Sequence, residues 1–181
     1  AYGDGGAMYT NDDILGPKCQ MIANHGQVKR YYHDAIGVNS RLDAMQAAIL
    51  EIKLRHLDSY AAARQKAAAY YDQAFASVDA LQTPKRQANS THVFHQYTLQ
   101  VKDGRRNELA AFLKEKGIPS MIYYPVPLYK QKAYQSLIPA DFADLPVTEQ
   151  LCDSVISLPM HTELDESALS FISDSVRAFF I

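Results

Sequence analysis

Several residue types and patterns that mark particular protein classes are scarce in this sequence. Tryptophan is absent, and the only two cysteines are Cys19 and Cys152. They lie far apart without the Cys or Cys/His spacing of a zinc site, which favours a reduced, cytoplasmic chain and leaves a disulfide open. No apolar run approaches the roughly 20 residues that a membrane-spanning helix needs. The sequence therefore predicts neither a zinc-binding module nor a membrane protein.

An excess of one charge is also missing. The chain has 18 basic and 20 acidic residues, which gives a formal net charge of -2. Nucleic-acid binding calls for a basic face, so this balance argues against it. The 181 residues are 48% hydrophobic, enough for a core. Such a chain is one large domain or a piece of something larger.

The most informative stretch that is present runs from Gly37 to Ala48, where a turn of small residues leads into a predicted helix. Asn39 and Arg41 lie at the predicted entrance of that helix. A helix N-terminus favours anions, and an amide and a guanidinium add directed donors for phosphate or carboxylate. The pattern predicts a site for an anionic small molecule. The alternatives are that Asn39 caps the helix and that Arg41 is a solvated side chain paired with Asp43 or a nearby acid.

Hydrophobic periodicity and turn residues predict the remaining elements. The predicted helices span 11–24, 41–76 with a break near 56–59, 105–116, about 148–153, and a last one that begins at Asp165. A short helix is also expected within 129–137. The predicted strands span 6–10, 93–101, 118–124 and 155–158, with a strand fragment within 77–91, and 27–38 is predicted to be a loop. The second half is therefore a small α/β or α+β layer, one sheet covered by helices.

Five short motifs occur in order along the whole chain. They are Gly3-Asp4-Gly5-Gly6-Ala7, Asn24-His25-Gly26, the Gly37 to Ala48 stretch, Tyr123-Tyr124-Pro125 and Leu158-Pro159-Met160-His161. The series resembles the DegT/StrS-type sugar aminotransferases, which are pyridoxal-phosphate (PLP) enzymes of the aspartate aminotransferase fold type. The resemblance implies an α/β fold in two parts. Residues 1–58 would end the large, cofactor-binding domain and carry the long connecting helix, and 59–181 would be the small domain.

The resemblance also implies how this chain takes part in catalysis. The Schiff-base lysine of the family precedes the Gly-Asp-Gly-Gly loop and would lie upstream of Ala1, so no residue of this chain is assigned as catalytic. The chain is expected to be the C-terminal half of the enzyme and inactive by itself. Family members are homodimers with shared active sites, in which Asn39 would bind the cofactor phosphate of the partner subunit.

Substrate contacts are likewise implied by the resemblance. Arg41 would bind the sugar nucleotide, and Tyr123 and Tyr124 would line its pocket together with His33 and His95. Many relatives carry His at the position of Tyr123, and a phenol does not titrate near neutral pH, which argues against an acid–base role there. The alternative for both tyrosines is core packing. No metal site is predicted, because neighbouring histidines such as His95 and the one three residues before it point to opposite faces of a strand.

The implied function is transfer of an amino group from an amino acid, with glutamate as the expected donor, to a nucleotide-linked keto-sugar for amino-sugar and polysaccharide biosynthesis. The stretch from Tyr123 to Leu128 resembles the subgroup that acts on uronic-acid sugars. Two alternatives stay open: a lysine-free binding or regulatory protein of the same fold, and a dimerising structural domain. A lysine just before the Gly-Asp-Gly-Gly loop distinguishes the enzyme from both.

Overall fold

The computed structural model describes residues 2–139 and 142–181. The described chain divides into two compact units, the first ending at Leu57 and the second spanning Asp58–Ile181. The first contains α1 (Leu15–Ala23), β1 (Gln27–Lys29), β2 (Tyr32–His33) and α2 (Ala44–Leu54). The second contains β3 (Leu81–Gln82), β4 (Tyr97–Val101), α4 (Arg106–Glu115), α5 (Pro146–Ser154), β5 (Val155–Leu158) and α6 (Glu166–Phe180), while α3 (Leu57–Phe75) begins at the boundary. Their assignment to a large and a small domain stays a prediction.

The start of the first unit differs from the prediction. Residues 6–10 form no strand, and α1 begins only at Leu15. Just before the helix, Asp12 Oδ1 accepts the N–H groups of Ile14 (2.8 Å) and Leu15 (2.9 Å). The Leu15 and Ile14 N–H groups hold the pKa of the Asp12 carboxyl below its ordinary value.

Residues 22–40 form an antiparallel ribbon where the sequence predicted a loop. Its outer part is the hairpin β1–β2, with Gln27 opposite His33 and Lys29 opposite Tyr32. Gly26 and Gly37 pack backbone against backbone below the hairpin: a Cβ on Gly37 would lie 2.6 Å from the Ile22 carbonyl oxygen and would overlap the Gly26 nitrogen. Only glycine allows such an approach.

The predicted long helix is two helices, and the predicted break is confirmed. α2 ends at Leu54 and α3 begins at Leu57, so the interruption at 55–56 meets the start of the predicted range 56–59. The chain enters α2 through Asp43, whose side chain makes no capping hydrogen bond. α3 buries a stripe at helical spacing made of Ala67, Ala68, Tyr71 and Phe75.

The second unit is built on a three-stranded antiparallel sheet with β4 in the centre. β4 alternates: Tyr97, Leu99 and Val101 are buried, while Thr98 and Gln100 are half-buried on the other face. β5 is buried along its whole length. The predictions of β5 and of the buried face of α6 are confirmed. The core joins the sheet to α3, α4 and α6 through Ala67, Ala68, Tyr71, Phe75, Leu81, Phe94, Tyr97, Leu99, Val101, Leu109, Leu113, Ile118, Ile156, Leu158, Leu169, Ile172 and Val176.

Two predictions for the middle of this unit are wrong in detail. Residues 118–124 form no strand and contribute a single β-bridge between Met121 and Ser157. The short helix expected within 129–137 is replaced by two 3₁₀ turns, Leu128–Lys130 and Gln135–Leu137. The first difference is one of pairing partners, since among residues 118–124 only Met121 pairs with the sheet, through Ser157 of β5. Among the described residues, no helix has the length and apolar character needed to cross a membrane.

The N-terminal cap of α6 predicts that the stability of the fold depends on pH. Asp165 accepts hydrogen bonds from the Ala168 N–H and the Ser167 hydroxyl, both at 2.8 Å, and they lower the pKa of its carboxyl from the ordinary 3.8. A carboxyl whose pKa is lower in the folded than in the unfolded state stabilises the fold at pH values above its unfolded-state pKa. This stabilisation is lost as the pH falls through the folded-state pKa. We expect the thermal-unfolding midpoint to fall more steeply in wild type than in Asp165→Asn between about pH 5 and about pH 2.5, because Asn caps without titrating.

Asp165→Ala is the matched control, since it removes the cap at every pH and should lower the midpoint even at neutral pH. Parallel midpoint curves for wild type and Asp165→Asn across the acid range contradict a titrating cap.

Candidate functional site

An open cleft in the first unit is enclosed by two segments of the chain. Its volume is about 600 Å³, and its walls are the glycine-rich loop and the segment that precedes α2. Arg41 is the only cation and Asp4 the only carboxylate among the lining residues, which are Asp4, Gly5, Gly6, Ala7, Met8, Asn39, Ser40, Arg41 and Leu42. Two of the residues predicted from the sequence, Asn39 and Arg41, therefore line the same cleft.

Asn39 is positioned by the ribbon rather than by a helix. It forms a β-bridge with Asn24. On either side of that bridge, the His25 N–H donates to the Val38 carbonyl and the Ser40 N–H to the Ala23 carbonyl, both at 2.9 Å. Since α2 begins only at Ala44 with Asp43 as its N-cap residue, Asn39 does not cap it. The capping alternative for Asn39 is wrong.

Asn39 and Arg41 contact each other. The Arg41 Nε–H donates to Asn39 Oδ1 at 3.1 Å, which leaves the Asn39 amide nitrogen and the outer guanidinium nitrogens as donors. Among the described residues, no salt bridge joins Arg41 to Asp43, so the ion-pair alternative for Arg41 is also wrong. The pair offers several N–H groups and uses its one acceptor internally, which suits an anionic ligand.

The glycine-rich loop supplies the opposite wall of the cleft. Its start is tied to α2 because the Tyr2 N–H donates to Gln46 Oε1 at 2.8 Å. A Cβ on Gly5 would lie 3.5 Å from Leu42 Cδ1, so the loop passes close to the other wall. In the part of the chain that the structure describes, no hydrogen bond uses the N–H of Gly5, Gly6 or Ala7.

His33 is held inside the hairpin. Its Nδ1–H donates to the His25 carbonyl at 2.9 Å, and its Nε2 lies 3.4 Å from Gln27 Nε2. The carbonyl can only accept, so the ring carries its proton on Nδ1. With both ring nitrogens occupied in this way, His33 fixes the ribbon. Its role as a substrate contact stays a prediction.

The other three predicted site residues belong to the second unit. Tyr124 is 71% exposed and Tyr123 is 37% exposed, so the core-packing alternative is wrong. The two rings meet edge to face with centroids 5.7 Å apart, across a cis peptide bond. His95 is exposed and lies before β4 rather than within it, because β4 begins only at Tyr97.

A polar network near His95 was not foreseen from the sequence. Asp72 accepts the Tyr97 hydroxyl at 2.7 Å and the Arg86 Nε–H at 3.1 Å, and Arg86 Nη2 also bonds to it. Burial, with the Asp72 hydrogen bond second, raises the pKa of Tyr97. The Arg86 guanidinium lies 4.2 Å from the centroid of the buried Phe94 ring. The network joins α3, the 83–96 segment and β4, and these partners are too distant in sequence for any spacing rule to detect.

Within residues 2–139 and 142–181, no three His, Cys, Asp or Glu side chains lie together in a way that would hold a metal ion.

Comparison with known proteins identifies the family of this chain. A model of the DegT/DnrJ/EryC1/StrS aminotransferase family matches residues 1–177. The chain belongs to this aminotransferase family. The resemblance predicted from the five motifs is confirmed, and so is the fold class.

Individual relatives of the DegT/DnrJ/EryC1/StrS family have similar sequences and folds. The chain is 44% identical to a pleiotropic regulatory protein of Geobacillus stearothermophilus, covering 99% of this chain and 48% of that protein. It is also 44% identical to the UDP-2-acetamido-2-deoxy-3-oxo-D-glucuronate aminotransferase of Pseudomonas aeruginosa, covering 94% and 46%. The crystal structure of DesV from S. venezuelae superposes with a TM-score of 0.88 at 35% identity, covering 94% of this chain and 45% of DesV. The chain thus spans about half the length of the curated relatives it matches.

Proposed function

We propose that the protein to which this chain belongs is a PLP-dependent aminotransferase. It transfers an amino group from an amino acid, glutamate in our proposal, to a nucleotide-linked keto-sugar, and its product serves amino-sugar and polysaccharide biosynthesis. Substrates of this kind are named for the P. aeruginosa relative, and a uronic-acid sugar is the substrate we favour. The enzyme would be a cytoplasmic homodimer, with a Schiff-base lysine supplied by a part of the protein outside this chain.

The observation that carries the proposal is the donor set of the cleft. A phosphate group accepts hydrogen bonds and donates none when ionised, so it needs N–H groups around it. The Asn39 amide and the Arg41 guanidinium offer such groups on one wall, and the backbone of Gly5 to Ala7 offers them on the other. Backbone N–H groups in glycine-rich loops are a common phosphate cradle. The residues present fit the phosphate of PLP.

The chain's own residues would have binding and orienting roles. Bound PLP supplies the electron sink that lets an amino group move between carbon atoms. Asn39 would donate its amide N–H to a phosphate oxygen of the PLP held by the partner subunit, with its side chain oriented by the Arg41 Nε–H. The remaining guanidinium nitrogens of Arg41 would bind the carboxylate or diphosphate of the sugar nucleotide. The exposed phenols of Tyr123 and Tyr124 would hydrogen-bond to sugar hydroxyls, together with the exposed ring of His95.

Asn39→Asp in the full-length protein tests the phosphate site. Aspartate keeps the shape and the acceptor for Arg41 but replaces the amide donor with a negative charge. We expect the PLP dissociation constant to rise about 10- to 100-fold, the worth of a hydrogen bond to a charged group. PLP binding is followed by fluorescence quenching, and the thermal-unfolding midpoint of the apoprotein should stay near that of wild type.

Asn24→Asp is the matched control, because Asn24 is the bridge partner of Asn39 and is absent from the residues that line the cleft. It makes the same charge change, and we expect PLP binding close to wild type. Equal PLP affinity in wild type and Asn39→Asp contradicts the assignment.

A second candidate is a regulatory protein of the same fold, which is favoured by the name of the Geobacillus relative. A family member without the lysine would bind a sugar nucleotide and not turn it over. Borohydride reduction of the full-length protein separates the two, since it fixes PLP covalently only where a lysine holds it. Mass addition after reduction supports the enzyme, and an unchanged mass supports the regulator.

A further inference from the structure

The two exposed tyrosines of the second unit lie on a segment that has no regular structure of its own. Tyr123 and Tyr124 belong to residues 122–126, the tyrosine segment, which is neither helix nor strand. In the part of the chain that the structure describes, no backbone hydrogen bond starts or ends on these five residues. Such a segment keeps a defined position only if the chain is held on both sides of it.

The N-terminal side of the tyrosine segment is held by the sheet. The Met121 N–H donates to the Ser157 carbonyl at 3.1 Å, and the Ser157 N–H donates to the Met121 carbonyl at 2.7 Å. Ser157 is buried in β5, where its hydroxyl lies 2.8 Å from that of Thr98 on the central strand. The chain therefore enters the tyrosine segment from a fixed point.

The C-terminal side is held by one carboxylate, that of Glu149. After the tyrosine segment the chain makes the 3₁₀ turn Leu128–Lys130. Lys130 Nζ lies 2.6 Å from Glu149 Oε1, and the Tyr129 hydroxyl donates to the same oxygen. The hydrogen bonds from Lys130 and Tyr129 hold the pKa of the Glu149 carboxyl below its ordinary value, so the carboxylate is charged at neutral pH.

Glu149 is itself fixed by the helix that carries it. It lies in the first turn of α5, where its N–H donates to the Leu145 carbonyl at 3.0 Å and the helix N-terminus favours a negative charge. α5 packs against β4 and has Cys152 buried. The Tyr129 ring also contacts that of Phe142, with centroids 5.2 Å apart. Glu149 therefore connects the 3₁₀ turn to a helix that packs on the sheet.

We propose that Glu149 is a positioning residue for sugar binding. It fixes the turn that follows the tyrosine segment and so sets the positions of Tyr123 and Tyr124, whose hydroxyls bind the sugar. An ion pair that is this exposed adds little to the free energy of unfolding, so its loss changes the position of the segment more than the stability of the fold. This inference rests on the proposed function and adds a residue that acts through the two tyrosines.

The test uses the full-length protein, with UDP-glucuronic acid and UDP as probes in calorimetry. In Glu149→Ala we expect the dissociation constant of UDP-glucuronic acid to rise about 3- to 10-fold, the worth of one lost hydrogen bond to the sugar. The dissociation constant of UDP, which lacks the glucuronic acid, should stay at the wild-type value. Tyr129→Phe should act in the same direction. Glu149→Gln keeps a carbonyl acceptor and should stay closer to wild type than Glu149→Ala.

Glu166→Ala is the matched control. Glu166 also lies in the first turn of a helix, α6, and takes part in none of the salt bridges among the described residues. Its removal makes the same charge change, and both probes should bind as in wild type. In the background Tyr123→Phe/Tyr124→Phe, Glu149→Ala should have no further effect, because the hydroxyls through which it acts are already missing.

PLP affinity is measured in parallel and separates this inference from the proposed function. If PLP binds normally while wild type and Glu149→Ala bind UDP-glucuronic acid equally, the positioning role is wrong and the aminotransferase stands. An equal loss of affinity for UDP, or an undiminished effect in the phenylalanine background, also overturns the positioning role. A wild-type protein that binds no PLP contradicts the proposed function, and a sugar affinity that depends on Glu149 would still support the positioning role.

Discussion

Gly37→Ala is expected to open the 22–40 ribbon. A Cβ at this position would overlap the Gly26 nitrogen and lie 2.6 Å from both the His25 carbonyl carbon and the Ile22 carbonyl oxygen. All three atoms are backbone, so no side chain can rotate away to make room. Overpacking of this kind costs about 1–3 kcal/mol, and a site that cannot relax falls at the upper end. The open form of the ribbon should therefore become roughly 100-fold more populated.

Limited trypsin digestion of the full-length protein measures this opening, because Lys29 and Arg30 at the tip are cleavage sites. Proteolysis tracks the population of the open form when closing is fast. Gly26→Ala should behave similarly, because Gly26 faces Gly37 and has a φ of +73°. Gly3→Ala is the control, since its Cβ would meet nothing within 4 Å. Equal cleavage rates at 29–30 in Gly37→Ala and Gly3→Ala contradict the close-packing argument.

Leu99→Ala is expected to destabilise the second unit strongly. Leu99 is fully buried in the central strand β4, opposite Ile156 of β5, and within the main core. Removing it leaves a cavity that helices on a sheet cannot close, and such truncations cost about 2–5 kcal/mol. The chain should remain folded only if its total stability exceeds that loss.

Urea unfolding followed by far-UV circular dichroism measures the change. Gln100→Ala is the matched control, because it is the next residue of the same strand and is half-buried on the opposite face. We expect it to cost less than about 1 kcal/mol. A midpoint shift no larger than that of Gln100→Ala contradicts the placement of Leu99 at the centre of the core.

Elements with strong local signals were predictable from the sequence. β5 combines β-branched and apolar residues between a helix and Pro159, and its predicted bounds match the structure. α6 has an Asp165 cap and a clear apolar stripe, and it begins where predicted. In both elements the secondary-structure propensity of the residues and their pattern of burial favour the same structure, so tertiary contacts do not change the local preference.

Elements that depend on partners elsewhere in the chain were missed. The β1–β2 hairpin shows little alternation because both strands are mostly exposed, and what secures it is the contact between Gly26 and Gly37. The failure at 118–124 has the opposite cause, since its residues suit a strand but only Met121 pairs with the sheet. Hydrophobic pattern describes burial and does not report which strand a segment meets.

The candidate site was found for a partly wrong reason. Asn39 and Arg41 were singled out as residues at a helix entrance, yet α2 starts later and Asn39 belongs to the ribbon. An amide and a guanidinium donate hydrogen bonds to an anion whether they lie at a helix entrance or in a β-ribbon, so the predicted type of ligand does not depend on the element. The roles of Tyr123, Tyr124, His33 and His95 stay predictions, because they depend on a ligand and on the rest of the enzyme.

The distribution of buried residues divides this chain into two regions of different expected protection. Every buried hydrophobic side chain among the described residues lies beyond Asp58. In hydrogen–deuterium exchange of this chain by itself, the backbone amides of β4 and β5 should therefore exchange more slowly than those of α2, which has no buried residue. The boundary at Leu57 would then be observed as a step in exchange rate along the chain.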